Sequence, residues 1–276
     1  MDIKNRCDEL IRKGMSVSQI KKALMKEYKK KYNVSARKYY LKNKAKKKPR
    51  LVFSDTHFPY QRKGYLKFLK DVHEKFNCDE EVICLGDLVD HHAISRHDSH
   101  PDAVGDVTEH NLAQDECHKL FEAFPKGIIT FGNHDKIPER QAATLGLSSR
   151  YLKSFRELWH FPKGWKIVEE IEIDKVHYSH GIGNSGWAGS IRKAMREGVS
   201  SCIGHYHSFG GVLFFANKHR MIFGANSGCL CDPDSLAMAY GKYARFRPTI
   251  GCLIVHNDRR CEFIPMHLEK YKEVES

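Results

Sequence analysis

No stretch of the 276 residues approaches the roughly 20 consecutive apolar residues that a membrane-spanning helix needs, so we expect no membrane partner. Met1-Asp2-Ile3-Lys4 leads into a charged segment and not into an apolar leader core. The nine cysteines form no even framework, and Cys229 and Cys231 lie close together without making a CxxC pair. That distribution argues against a disulfide scaffold and suits reduced thiols in a cytoplasm. Acidic residues are scarce in one place. Residues 1–50 hold 4 of them against 18 lysines and arginines, a net of +14, whereas the remainder nets −2 and the whole chain +12. All the excess positive charge therefore sits in the first fifth, which points to a basic module for a polyanion attached to a nearly neutral domain.

What is present in that first fifth is helical. Ile3, Cys7, Leu10 and Ile11 recur at helical spacing, with Gly14 placed to end the helix. Ser16-Val17-Ser18-Gln19 fits a capping box, and Val17, Ile20, Ala23, Leu24 and Tyr28 form the apolar stripe of a second helix. Ser35 would cap a third helix running to about Lys44. Residues 1–48 thus read as a basic helical, helix-turn-helix-like module with its linker. Arg37, Lys38, Tyr39, Lys42 and Lys44 are its candidate nucleic-acid contacts, since lysine and arginine neutralise phosphates and tyrosine stacks on bases.

Residues 49–276 read as one α/β domain. Arg50–Phe53, Glu81–Leu85 and Gly127–Phe131 are apolar strands separated by helical stretches, the pattern of a parallel βαβ sheet. Residues 139–160 look helical, residues 166–173 read as one strand, and a helix over 188–197 precedes a strand at 199–203. Four further strands, at 212–215, 220–223, 251–256 and 260–266, are expected to close the domain in antiparallel fashion.

Chemistry collects where these strands stop. Asp55 and His57 flank Thr56, so in an extended segment both would point the same way. Asp87 follows a glycine, Asn133 offers a neutral oxygen, and His180, His205 and His207 supply imidazoles. Mixed carboxylate, amide and imidazole donors suit Mn²⁺, Fe²⁺ or Zn²⁺ better than Mg²⁺ or Ca²⁺. Seven such donors exceed what one ion needs and match two ions sharing a carboxylate.

The order Asp55-x-His57, Gly86-Asp87-x-x-Asp90, Gly132-Asn133-His134-Asp135, His180-Gly181 and Gly204-His205-x-His207 resembles the calcineurin-like metallophosphoesterase superfamily over about residues 50–267. That resemblance implies a central β-sandwich flanked by helices, with two divalent metal ions, manganese first among the candidates, at the strand ends. It implies Asp55, His57, Asp87 and His207 on one ion, and Asp87, Asn133, His180 and His205 on the other. His134 would serve the leaving oxygen as a catalytic residue, with Asp90 orienting it, and a hydroxide bridging the metals would attack.

Where protein phosphatases of this superfamily continue Gly-Asp-x-x-Asp with Arg-Gly, this chain has His91 and His92. Residues 90–97 are similar to a group of phage and prophage phosphoesterases, for which cytoplasmic would mean the host's cytoplasm. His91, His92 and Arg96 are candidate substrate-phosphate contacts. Together with the basic module, these features favour a phosphodiesterase or nuclease acting on DNA or RNA. The alternative is a phosphomonoesterase acting on nucleotides or proteins.

Overall fold

The computed structural model describes residues 3–28, 48–96, 102–235, 246–256 and 260–271. The third helix expected from Ser35, and with it Arg37, Lys38, Tyr39, Lys42 and Lys44, lies outside these residues. The chain divides into two compact units, Met1–Lys47 and Lys48–Ser276.

In the first unit, α1 (Ile3–Arg12) and α2 (Val17–Tyr28) bury Cys7, Leu10, Ile20 and Leu24 against one another. Gly14 supplies the left-handed residue that lets the chain reverse between them, with φ of 76°. The Ser16 hydroxyl accepts from the Gln19 amide at 3.3 Å, and the Gln19 side-chain oxygen accepts from the Ser16 amide at 2.9 Å. Both halves of a capping box are therefore made at the start of α2.

The second unit is a sandwich of two sheets. One has six strands in the order β11-β10-β1-β2-β3-β4, and the other five in the order β5-β6-β7-β9-β8. In the first sheet β1 (Arg50–Phe53), β2 (Glu81–Cys84), β3 (Lys126–Thr130) and β4 (Trp165–Val168) are mutually parallel. β10 (Gly251–Val255) and β11 (Cys261–Pro265) join antiparallel on the β1 edge. The second sheet pairs β5 (Glu170–Ile173) antiparallel to β6 (Val176–Ser179), and β6 parallel to β7 (Ser200–Ile203). β9 (Met221–Ser227) runs parallel to β7, and β8 (Gly210–Ala216) closes the sheet antiparallel to β9.

Alternation along the strands decides which core each side chain enters. Leu51, Phe53, Val82 and Cys84 face a core built with α3 (Tyr65–Lys75) and α4 (Asp106–Ala123). Val52, Ile83 and Leu85 face the opposite way, onto Tyr178, Cys202, Phe223 and Ala225 of the second sheet. β1, β2 and β3, buried on both faces, leave only their ends for polar chemistry. All nine cysteines are buried and unbridged, and no helix among the described residues is long and apolar enough to cross a membrane.

Three expectations need correction. Residues 139–160 form no single helical stretch but α5 (Ile137–Thr144), a 3₁₀ turn at Ser149–Tyr151, and α6 (Phe155–Leu158). Gly146 (φ 71°) stops the first, and a capping box of Ser154 with Glu157 starts the last. Residues 166–173 are two strands: β4 stays with the first sheet while β5 starts the second, with Glu169 between them. Val168 and Glu169 interrupt the alternation where the sheet changes, but a one-step break of this kind also fits a bulge within one strand. Of the four closing strands, β9 is parallel to β7, because β8 takes the outer edge and its hairpin returns β9 beside β7. The helix α7 (Gly189–Glu197) links β6 to β7.

Candidate metal centre

Five loops at the carboxyl ends of β1, β2, β3, β6 and β7 bring their polar side chains to one place. Asp55, His57, Asp87, Asp90 and His180 are buried, while Asn133, His134, His205 and His207 are half-buried. Donor atoms of Asp55, His57 and His207 lie within 4.8 Å of one another, as do those of Asp87, His180 and His205. Asp87 joins the two groups, its Oδ2 standing 3.1 Å from His180 Nε2 and 3.8 Å from His57 Nε2. Asn133 Oδ1 lies 3.1 Å from the same His180 nitrogen.

The outer nitrogens show which face each ring offers. His57 Nδ1 donates to Asp90 Oδ1 at 2.6 Å, His180 Nδ1 to the Leu85 carbonyl at 2.8 Å, and His134 Nδ1 to the Asp90 carbonyl at 2.8 Å. Carboxylates and carbonyls only accept, so each Nδ1 carries the proton and each neutral ring leaves Nε2 as a bare lone pair. The bare nitrogens of His57 and His180 each face another imidazole nitrogen. His57 Nε2 is 3.3 Å from His207 Nε2, and His205 Nδ1 is 3.2 Å from His180 Nε2. Nitrogens and carboxylate oxygens converging at these distances need positive charge between them. The donor set therefore fits divalent cations of the borderline class.

A model of the family described as calcineurin-like phosphoesterase matches residues 48–211, more than half of the chain. The chain belongs to this family. A comparison with curated proteins finds no match. The family's members are metal-dependent phosphoric ester hydrolases, and the phosphoesterase described here has clusters that can bind the metal.

The electrostatics of the phosphoesterase centre run the same way. Burial would raise the Asp55 carboxyl, but His207 and His57 beside it hold it well below the usual range. Burial would lower His180, and the Asp87 charge instead lifts it to about 9. Burial also opposes charging of His207, which Cys231 and Asp55 lift to about 10. These rings take up protons because the centre is rich in negative charge.

Strained backbone carries this arrangement. Asp55, His57, Asp87 and His205 all have φ between 48° and 69°, in the left-handed region that most residues avoid. Asp135 clamps two of the loops, accepting from the amides of Asp87 (2.9 Å), Leu88 (3.0 Å) and Gly132 (2.8 Å). Burial, then the Asp87 charge, pushes Asp135 up to about 6. Gly132 is required because a Cβ there would collide with the Asp87 carboxylate and amide. Gly132→Ala is accordingly expected to cost about 1–3 kcal/mol, as overpacking does, and to reduce metal uptake by displacing Asp87. Chemical denaturation and metal analysis measure both, and wild-type values in both would show that the loop yields freely.

The remaining candidates are distributed unevenly. Asp90 touches two rings, its Oδ1 lying 3.1 Å from His134 Nδ1 as well as bonding His57. Arg96 lines a cavity of about 500 Å³ beside Asn133 and His134. His91 and His92 do not line it. His91 packs on Trp159 with ring centroids 5.5 Å apart, and burial lowers it to about 4. His92 is buried near Tyr60, and its amide donates to Glu109 at 2.6 Å.

Sequence reasoning missed Arg140, whose Nη2 donates to the Asn133 carbonyl at 2.7 Å. It also missed Cys231, whose sulfur lies 3.8 Å from His207 Nδ1. Arg140 lies seven residues after Asn133, the spacing of two helical turns; nothing local flags Cys231.

Proposed function

We propose that this phosphoesterase is a dinuclear-metal-dependent phosphodiesterase that cleaves DNA or RNA, with its basic N-terminal unit holding the polyanion. The observation that carries the chemistry is the pair of donor clusters joined by Asp87, with His134 anchored beside them. Asp55, His57, Asp87 and His207 would hold one ion, and Asp87, Asn133, His180 and His205 the other. Among divalent ions, Mn²⁺ suits this mixture of carboxylate, amide and imidazole, with Fe²⁺ and Zn²⁺ as alternatives. Bound there, two cations supply charge that stabilises the phosphoryl oxygens and acidifies water.

The chain's own groups do the rest. His134 has its amide on Asp87 Oδ1 at 2.7 Å and its Nδ1 on the Asp90 carbonyl, so both ends of the residue are fixed. Its ring lines the cavity, where Nε2, once it is protonated as well, would give a proton to the departing oxygen. Asp90 ties that ring to His57, so the proton donor and a ligand keep a fixed relation.

The polynucleotide preference draws on the +14 carried by residues 1–50. With Mn²⁺ present, the chain is expected to hydrolyse single- or double-stranded polynucleotide and bis-p-nitrophenyl phosphate faster than p-nitrophenyl phosphate. Replacing Arg37, Lys38, Lys42 and Lys44 together by glutamine should raise KM for polynucleotide about tenfold at moderate salt and flatten its salt dependence. Turnover confined to monoesters would overturn the diesterase reading. An unchanged KM and salt slope would remove the N-terminal unit from it.

A further inference from the structure

The cavity beside His134 is lined by two arginines and by no acidic residue among those described. Arg140 projects from α5 and bonds the Asn133 carbonyl, which fixes its guanidinium next to a candidate ligand. Arg96 comes from the segment after β2, and its Nη2 donates to Thr144 Oγ1 at 2.8 Å. Thr144 Oγ1 in turn donates to the Arg140 carbonyl at 2.9 Å, so both arginines are tethered to one helix. Gln141 Nε2 donates to the Ile94 carbonyl at 2.7 Å and pins the two walls together. The Arg140–Asn133 and Arg96–Thr144 bonds each occupy one terminal nitrogen of a guanidinium that offers five N–H donors in a planar fork.

Two guanidiniums lining one cavity match an oxyanion, and a fork of this kind prefers phosphate in bidentate geometry. A leaving group without charge gives them nothing to bind. We propose that Arg96 and Arg140 form an anion subsite on the leaving-group side of His134, which takes the neighbouring phosphate of a polynucleotide strand. The subsite rests on the phosphodiesterase reading and deepens it. It makes the enzyme select diesters whose departing portion carries a phosphate of its own, which bis-p-nitrophenyl phosphate lacks.

The test compares three dithymidine diesters with Mn²⁺: dTpdT, the same with a 5′-terminal phosphate, and the same with a 3′-terminal phosphate. One phosphorylated form should exceed dTpdT in kcat/KM by about tenfold or more, the scale of charge-assisted hydrogen bonds. In the Arg96→Gln/Arg140→Gln double variant, checked for an unchanged melting temperature, that ratio should fall to near one. Equal kcat/KM for all three in the wild type overturns the subsite, and so does a preference that survives in the double variant. Should every diester be inert while p-nitrophenyl phosphate is hydrolysed, the diesterase reading itself falls. The subsite is then judged on adenosine 3′,5′-bisphosphate against adenosine 5′-monophosphate. An arginine-dependent preference for the bisphosphate upholds it, and no preference overturns it.

Discussion

Changing His134 to alanine is expected to lower nucleotide diester turnover by about 10²–10⁴-fold, the usual contribution of a placed proton donor, while bound metal stays at the wild-type level. The structure separates these two outcomes. His134 touches the candidate ligand Asp87 through its backbone amide, a bond that alanine retains. The ring is lost from the cavity wall, and the Asp90 carboxylate keeps its 2.6 Å bond to His57. Leaving-group dependence sharpens the test. A nucleoside alkoxide needs a proton as it departs and p-nitrophenolate scarcely does, so the defect should be much larger for the nucleotide diester. Wild-type turnover, or an equal defect for both leaving groups, would remove His134 from the proton-donor role.

Asp87→Asn should have the second large effect, and it differs in kind. The Asp87 carboxylate faces His57 and His180 with one oxygen and accepts the His134 amide with the other. An amide at this position keeps the volume and loses the charge shared by both donor clusters. Metal affinity should fall by more than the roughly 10–100-fold typical of outer-sphere changes, because the residue stands between the clusters and not behind them. Turnover should fall with it. Titration with Mn²⁺ followed by activity measurement checks this, and a variant that binds two ions with native affinity would show that Asp87 is not shared.

How far the sequence anticipates this centre depends on how local each contact is. Asp55, His57, Asp87, Asn133, His180, His205 and His207 sit at the ends of apolar strands, where short motifs and strand alternation make them visible. Their convergence needs parallel strands with aligned ends, which the βαβ pattern supplies within each sheet. It also needs the packing of the two sheets, which brings the ends of β6 and β7 to those of β1, β2 and β3. The supports behind them are another matter. Asp135 bonds amides 46 to 48 residues away, and Arg96 reaches a threonine 48 residues on. Such pairings are set by how loops from different strands lie together, and one-dimensional spacing holds no record of them. His91 and His92 show the converse: polar residues beside a motif are drawn inward by Trp159, Tyr60 and Glu109, which lie elsewhere in the chain. The split of residues 166–173 between two sheets was hidden for a related reason, since a strand pattern tells which face a residue takes and not which sheet it joins.

The left-handed backbone at Asp55, His57, Asp87 and His205 also bears on how this centre can change over generations. Aspartate, asparagine and histidine tolerate that conformation far better than branched residues do. Replacement by valine, isoleucine or threonine is thus closed off by geometry before chemistry is considered. Replacement of Asp55 or Asp87 by asparagine is open, because the turn survives and only a charge is lost. A lineage drifting away from hydrolysis would keep its loops and its sandwich, and its inactive descendants would be recognisable by amides standing where carboxylates had been.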